Sequence, residues 1–121
     1  MSVAEFKLLG VWRLRKATRD ERRLALASVL SAQQRLAADL ARVAGELEEF
    51  QSRRRHATEP GVLRLQRLQG DLRIEELLRA ERQRYLERAV ELNVALAQRQ
   101  DELREAEVEW RAIEWLRQKR S

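Results

Sequence analysis

Acid–base, nucleophilic and metal chemistry draws on a short list of side chains, and this sequence of 121 residues is poor in them. It has a single histidine, His56, and no cysteine. A His-based metal cluster and a thiolate site are therefore excluded, and a Ser-His-Asp triad has one imidazole to draw on. That imidazole closes the run Arg53-Arg54-Arg55-His56, a phosphate-contacting composition that reads first as a solvated helix end. The four glycines, Gly10, Gly45, Gly61 and Gly70, are isolated, and none opens a loop whose amides cradle a nucleotide's phosphates. Asp and Glu together number 20, but an acid/base pair needs a concave site that shifts its pKa values. On long helices the same carboxylates form a solvated face. No enzyme, no cofactor, no metal and no small-molecule substrate is expected.

What remains is chemistry of contact. The net charge is +5, and it is not evenly spread. Lys7, Arg13, Arg15, Lys16, Arg19, Arg22 and Arg23 face only Asp20 and Glu21, so this stretch by itself carries an excess equal to that of the whole chain. Tryptophan occurs three times, as Trp12, Trp110 and Trp115. Trp115 is about 140° from Trp110 around a helix, so if one packs inward the other points out. An outward Trp is an interface candidate.

Two helices must carry these residues. Leu, Ala, Glu, Arg and Gln dominate, 37% of residues are charged and 5% are aromatic, which is the composition of long helices and coiled coils. Ser2-Val3-Ala4-Glu5 fits a capping box. Pro60 is the one proline, and beside Gly61 it makes the one strong turn signal; Thr58 or Glu59 can cap a second helix that has Pro60 in its first turn. A single hairpin over residues 1–121 follows: helix 1 over about 3–56, a turn over about 57–61, helix 2 over about 62–119. Helices of that size are roughly 75–85 Å long. No apolar run is long enough to span a bilayer and no secretory signal is visible, so a cytoplasmic protein is expected.

The hydrophobic period gives the pairing. In helix 1, Leu36, Leu40, Val43, Leu47 and Phe50 fall on alternating three- and four-residue steps, and Leu26 and Val29 extend the frame backwards across Gln33. In helix 2, Ala89, Leu92, Leu96, Leu103, Ala106, Trp110 and Ile113 do the same, with Arg99 as an intruder. Steps averaging 3.5 residues make a coiled-coil seam. Folding about residue 60 brings Leu26 to Leu96 and Val29 to Leu92, so the fold class is all-α, a long two-helix antiparallel coiled-coil hairpin. Before Leu26 the frame would place Arg22, Arg19 and Arg15 in the seam. It is expected to fail there, leaving Phe6, Ala17 and Leu24, with Leu14 near the margin, as a rival stripe. Gly45 and Gly70 are expected to mark a bend or close approach.

The two ends of the chain resemble one family. Phe6-Lys7-Leu8-Leu9-Gly10-Val11-Trp12-Arg13-Leu14-Arg15-Lys16, continued by Asp20-Glu21-Arg22-Arg23-Leu24-Ala25-Leu26-Ala27, is similar to the start of the flagellar FliJ family. Trp110-Arg111-Ala112-Ile113-Glu114-Trp115-Leu116-Arg117-Gln118-Lys119-Arg120 is similar to that family's basic ending. The resemblance implies a component of the flagellar type III export apparatus, similar to the central stalk of rotary ATPases. It further implies three partners: a hexameric flagellar export ATPase, the membrane export gate protein and export chaperones. The place implied is peripheral, on the cytoplasmic side of the membrane. By the same resemblance Lys7, Trp12, Arg13, Arg15, Lys16, Trp115, Arg117, Lys119 and Arg120 would form the end that enters the ATPase pore.

Other readings stay open on the residues alone. The stalk of a virulence type III secretion system has the same pattern. A basic coiled coil that binds nucleic acid is less favoured, since acids are interspersed over most of the length, and its affinity would fall steeply with salt. A purely structural spacer would show neither ATPase stimulation nor salt-sensitive binding.

Overall fold

Ser2 starts the first helix as its residue type predicts. The Glu5 amide donates to Ser2 Oγ at 3.1 Å, satisfying one of the amides that every helix start leaves unpaired. In the computed structural model, which describes residues 1–120, α1 then runs over Val3–Arg55 and α2 over Gly61–Arg120. Ser121, the last residue of the expected hairpin, lies outside the described residues. Of the described residues 94% are helical, and the two long helices pack against each other as an all-α hairpin.

The reversal is made by residues that stop one helix and start the next. The His56 amide is shared between the carbonyls of Ser52 and Arg53 (3.2 and 3.3 Å), which tightens the last turn of α1. Arg53, Arg54 and Arg55 sit where the helix dipole favours cations. Pro60, rather than Thr58 or Glu59, stands at the start of α2, its carbonyl accepting from the Arg64 amide at 2.8 Å. Glu59 instead accepts from Arg67 Nη1 at 2.7 Å. Its own backbone N–H and the Arg67 guanidinium hold the Glu59 carboxyl below its ordinary pKa.

Two compact units make up the chain. One comprises Gln33–Glu91. In it Val43, Leu47 and Leu78 form a buried apolar cluster against which Phe50 and Tyr85 pack, and Leu36 is also buried. Leu40 and Ala89 are half-buried. Arg42 Nη2 reaches Glu81 at 2.6 Å and Arg54 Nη2 reaches Glu75 at 2.6 Å, so partner numbers fall as α1 rises and the pairing is antiparallel. The α2 side of this seam is Leu68, Asp71, Glu75, Leu78 and Tyr85, again on steps of three and four with position 82 skipped. Gly45 and Gly70 mark no close approach: a Cβ on either would meet nothing within 4 Å, and both helices run on through them. Both simply face outward.

The other unit comprises Met1–Ala32 and the segment from Leu92 onward. Leu92 and Ala106 are buried, and Leu26, Val29, Leu96, Leu103, Trp110 and Ile113 are half-buried. Arg15 Nη1 to Glu109 (3.0 Å) and Arg23 Nη2 to Glu107 (3.4 Å) fix the same antiparallel sense. Toward the chain start the seam does not fail, contrary to expectation. Leu8, Trp12, Arg15, Arg19, Arg22 and Leu26 keep the alternating step and are all at least half-buried, Arg19 to 9% exposure. The physical reason is that arginine's aliphatic stem packs like an apolar side chain while its guanidinium finds a partner beyond the seam. The rival stripe is the solvent face: Phe6, Leu14 and Leu24 are 62–73% exposed.

Candidate protein-interaction site

Trp12 is the centre of the terminal end. The seam frame turns it toward α2, where its indole Nε1 donates to the Glu114 carboxylate. Two cations cover the ring: Arg117, with its guanidinium carbon 4.3 Å from the centroid, and Lys16, with Nζ at 5.3 Å. Such contacts hold a cation against an aromatic face by the ring quadrupole, at about 0.5–2 kcal/mol each. One turn into the hairpin the motif recurs. The Arg19 guanidinium lies 4.1 Å above the Trp110 ring and also donates to Asp20 Oδ1 at 2.8 and 3.1 Å. Trp110 is thus more than an apolar seam residue, and its buried Nε1 has no hydrogen-bond partner.

Trp115 lies on the opposite side of α2. It is 57% exposed and carries Lys119 Nζ 4.5 Å from its centroid. No protein-family model, curated protein or solved structure matches the chain. The candidate site therefore stands on its geometry.

The structure brings some of the nine candidate residues together and leaves others apart. Trp12, Lys16 and Arg117 form one cluster, while Trp115 and Lys119 form another. Arg15 is turned inward to Glu109, so its charge is already matched. Lys7 and Arg120 line one groove with Ala4, Leu8, Val11 and Leu116. Arg13 is exposed, and no ion pair joins Lys7, Arg13, Lys16, Lys119 or Arg120 to a carboxylate among the described residues. Glu114, which orients Trp12, was not among the candidates. The hydrophobic period carried no signal for it, because folding about residue 60 sets Trp12 opposite Trp110, one helical turn before Glu114.

At the reversal Arg53, Arg55 and His56 are exposed, as expected of a solvated helix end, and Arg54 is the exception. Arg54 reaches Glu75, whose side chain is 1% exposed and which Arg79 also approaches at 3.6 Å. Arg53 pairs with Glu49 and stacks on Phe50 (4.7 Å), and Arg55 pairs with Glu48. A cleft of about 160 Å³ lies here among Arg54, Ala57, Glu59, Arg64, Arg67, Leu68 and Asp71. Arg67 donates to Glu59 at 2.7 Å, while the buried Asp71 Oδ2 has no hydrogen-bond partner and meets Arg67 Nε only at 3.9 Å. Among the described residues no group of three or more Asp, Glu or His side chains gathers to hold a metal.

Proposed function

We propose that the chain is a stalk component of a flagellar-type protein export machine. In this reading its terminal end enters the pore of a hexameric export ATPase and promotes the ring's assembly and activity. The remainder contacts the membrane export gate and export chaperones, from a position on the cytoplasmic side of the membrane. Among the described residues no helix is long and apolar enough to cross a bilayer, which is compatible with a peripheral position.

One observation carries the reading. Residues 1–19 and 110–120 hold nine Lys and Arg against two Glu, a local excess of seven on a chain of net charge +5. On that same end the outward Trp115 offers an aromatic anchor. A basic end with one anchor suits insertion into a ring lined by acidic groups: long-range charge accelerates encounter and buried aromatic surface slows release.

The test is ATP hydrolysis by the cognate hexamer with variants of the hairpin. Trp115→Ala is expected to weaken binding by about 2 kcal/mol, or roughly 30-fold. Arg13→Glu with Lys16→Glu is expected to slow association, with an effect that shrinks as salt rises. Arg53→Gln with Arg55→Gln at the far end is expected to leave stimulation intact. Full stimulation by both terminal variants would sink the insertion reading.

A further inference from the structure

From Phe6 to Arg19 the sequence contains five Lys and Arg and no acid. The structure splits the side chains of this segment between two faces. Trp12, Arg15 and Arg19 turn toward α2 and find partners there. Lys7, Arg13 and Lys16 stay exposed without a carboxylate, and among them Phe6 (70% exposed) and Leu14 present apolar surface to solvent. The end of α2 adds Trp115, Leu116, Lys119 and Arg120 in the same exposed condition. An open groove of about 320 Å³ runs along this end, walled by Ala4, Leu8, Val11 and Leu116 with Lys7 and Arg120 beside them.

Cations with no carboxylate partner among the described residues, interleaved with exposed aromatic and aliphatic groups, match one chemistry on both counts. We propose that this end is a docking surface for an anionic lipid bilayer. Lys7, Arg13, Lys119 and Arg120 meet the headgroup phosphates, while Phe6 and Trp115 enter the boundary between headgroups and acyl chains. The groove of Leu8, Val11 and Leu116 takes acyl or glycerol atoms beneath a phosphate held by Lys7 and Arg120. Each cation near an anionic surface contributes roughly fivefold to partitioning, and buried apolar area adds to that. A protein pocket for a single anchor would take Trp115 alone, whereas Phe6, a second exposed aromatic side chain, and the groove beside Lys7 call for a continuous apolar medium.

The inference does not rest on the export reading, because the test contains no other protein. The full chain is mixed with sucrose-loaded vesicles of phosphatidylcholine alone, or with 30% phosphatidylglycerol (about that fraction suffices for the surface potential at issue), and the bound fraction is read after sedimentation. Binding to the anionic vesicles only, falling at least about tenfold as salt is raised severalfold, is expected. Lys7→Gln with Arg13→Gln and Lys119→Gln is expected to weaken it by more than about tenfold. Phe6→Ser with Trp115→Ser is expected to weaken it by about tenfold or more, with helicity by circular dichroism unchanged because both side chains are exposed. Equal binding to neutral vesicles overturns the proposal. So does undiminished binding of the Phe6/Trp115 variant, which would make this a purely coulombic site of the kind an acidic protein uses.

Discussion

Each unit closes a helix–helix seam of its own, and the two use different materials. In Gln33–Glu91 aliphatic side chains do it: Val43 is wholly buried, Leu47 and Leu78 nearly so, and ion pairs flank them. In the unit that carries both termini, Arg15, Arg19 and Arg22 take seam positions, and tryptophans receive cations where leucines would otherwise interlock. Aliphatic packing is non-directional and gains about 25 cal/mol per Å² buried. A cation on an aromatic ring gains less and leaves the charge near the surface. The first arrangement favours stability, and the second keeps positive potential available to a partner at the end where the charge excess lies.

The largest effect expected from this difference is on stability. Leu47→Ala should cost about 3–4 kcal/mol, as for a buried leucine whose cavity closes only partly. Leu26→Ala, at a half-buried seam position in the other unit, should cost about 1–2 kcal/mol. Urea midpoints of the two variants measure this directly, and equal losses would erase the distinction. Next comes the buried carboxylate. Arg54→Leu strands the Glu75 charge with Arg79 alone at 3.6 Å, and should cost about 2–3 kcal/mol, the low side of breaking a buried pair. Adding Glu75→Leu should restore most of it. Arg19→Leu should cost about 1 kcal/mol, since Trp110 loses a cation but gains an aliphatic neighbour.

Much of this was legible in the sequence, and the misses along the seam have one cause. The hairpin, its turn and the outward Trp115 follow from the 3.5-residue period, Pro60 and helix geometry. All fourteen seam residues read from that period, from Leu26 to Ile113, are buried or half-buried. Apolar periodicity is blind where a polar side chain occupies an inward position. Asp71, Glu75 and Tyr85 hid the α2 seam before Ala89, and Arg15, Arg19 and Arg22 made the α1 seam seem to end at Leu26. Counting position rather than polarity recovers both stretches, because every seam position on both helices shares one heptad phase. The Trp12 cluster was beyond reach, since which carboxylate meets the indole depends on a stagger of about one helical turn that period alone does not set.

The finest comparison uses pH within one cross-helix network. Arg42 donates to Glu81 (2.6 Å) and Tyr85 Oη also donates to Glu81 (2.8 Å). Arg42 and then Tyr85 hold the Glu81 carboxyl below its ordinary pKa of 4.5, while donation to Glu81 and then burial raise the Tyr85 phenol above its ordinary 10.0. The signs oppose each other. A carboxyl with a lowered folded pKa binds fewer protons than in the unfolded chain, so its contribution is complete above about 4.5 and disappears as pH falls through the lower folded value. A phenol with a raised folded pKa keeps its proton longer, so its contribution is complete below about 10 and disappears as pH climbs through the higher folded value. A plateau in the urea midpoint between these limits is therefore expected, with a decline on each side. Arg42→Gln should flatten the acid limb while leaving much of the alkaline one, since Tyr85 still donates to Glu81. Tyr85→Phe should remove this group's share of the alkaline limb and leave most of the acid one, which Arg42 continues to supply. If Tyr85→Phe leaves the alkaline limb untouched, the phenol is not bonded to Glu81 in solution. The cross-helix network would then reduce to the Arg42–Glu81 pair beside the aliphatic cluster.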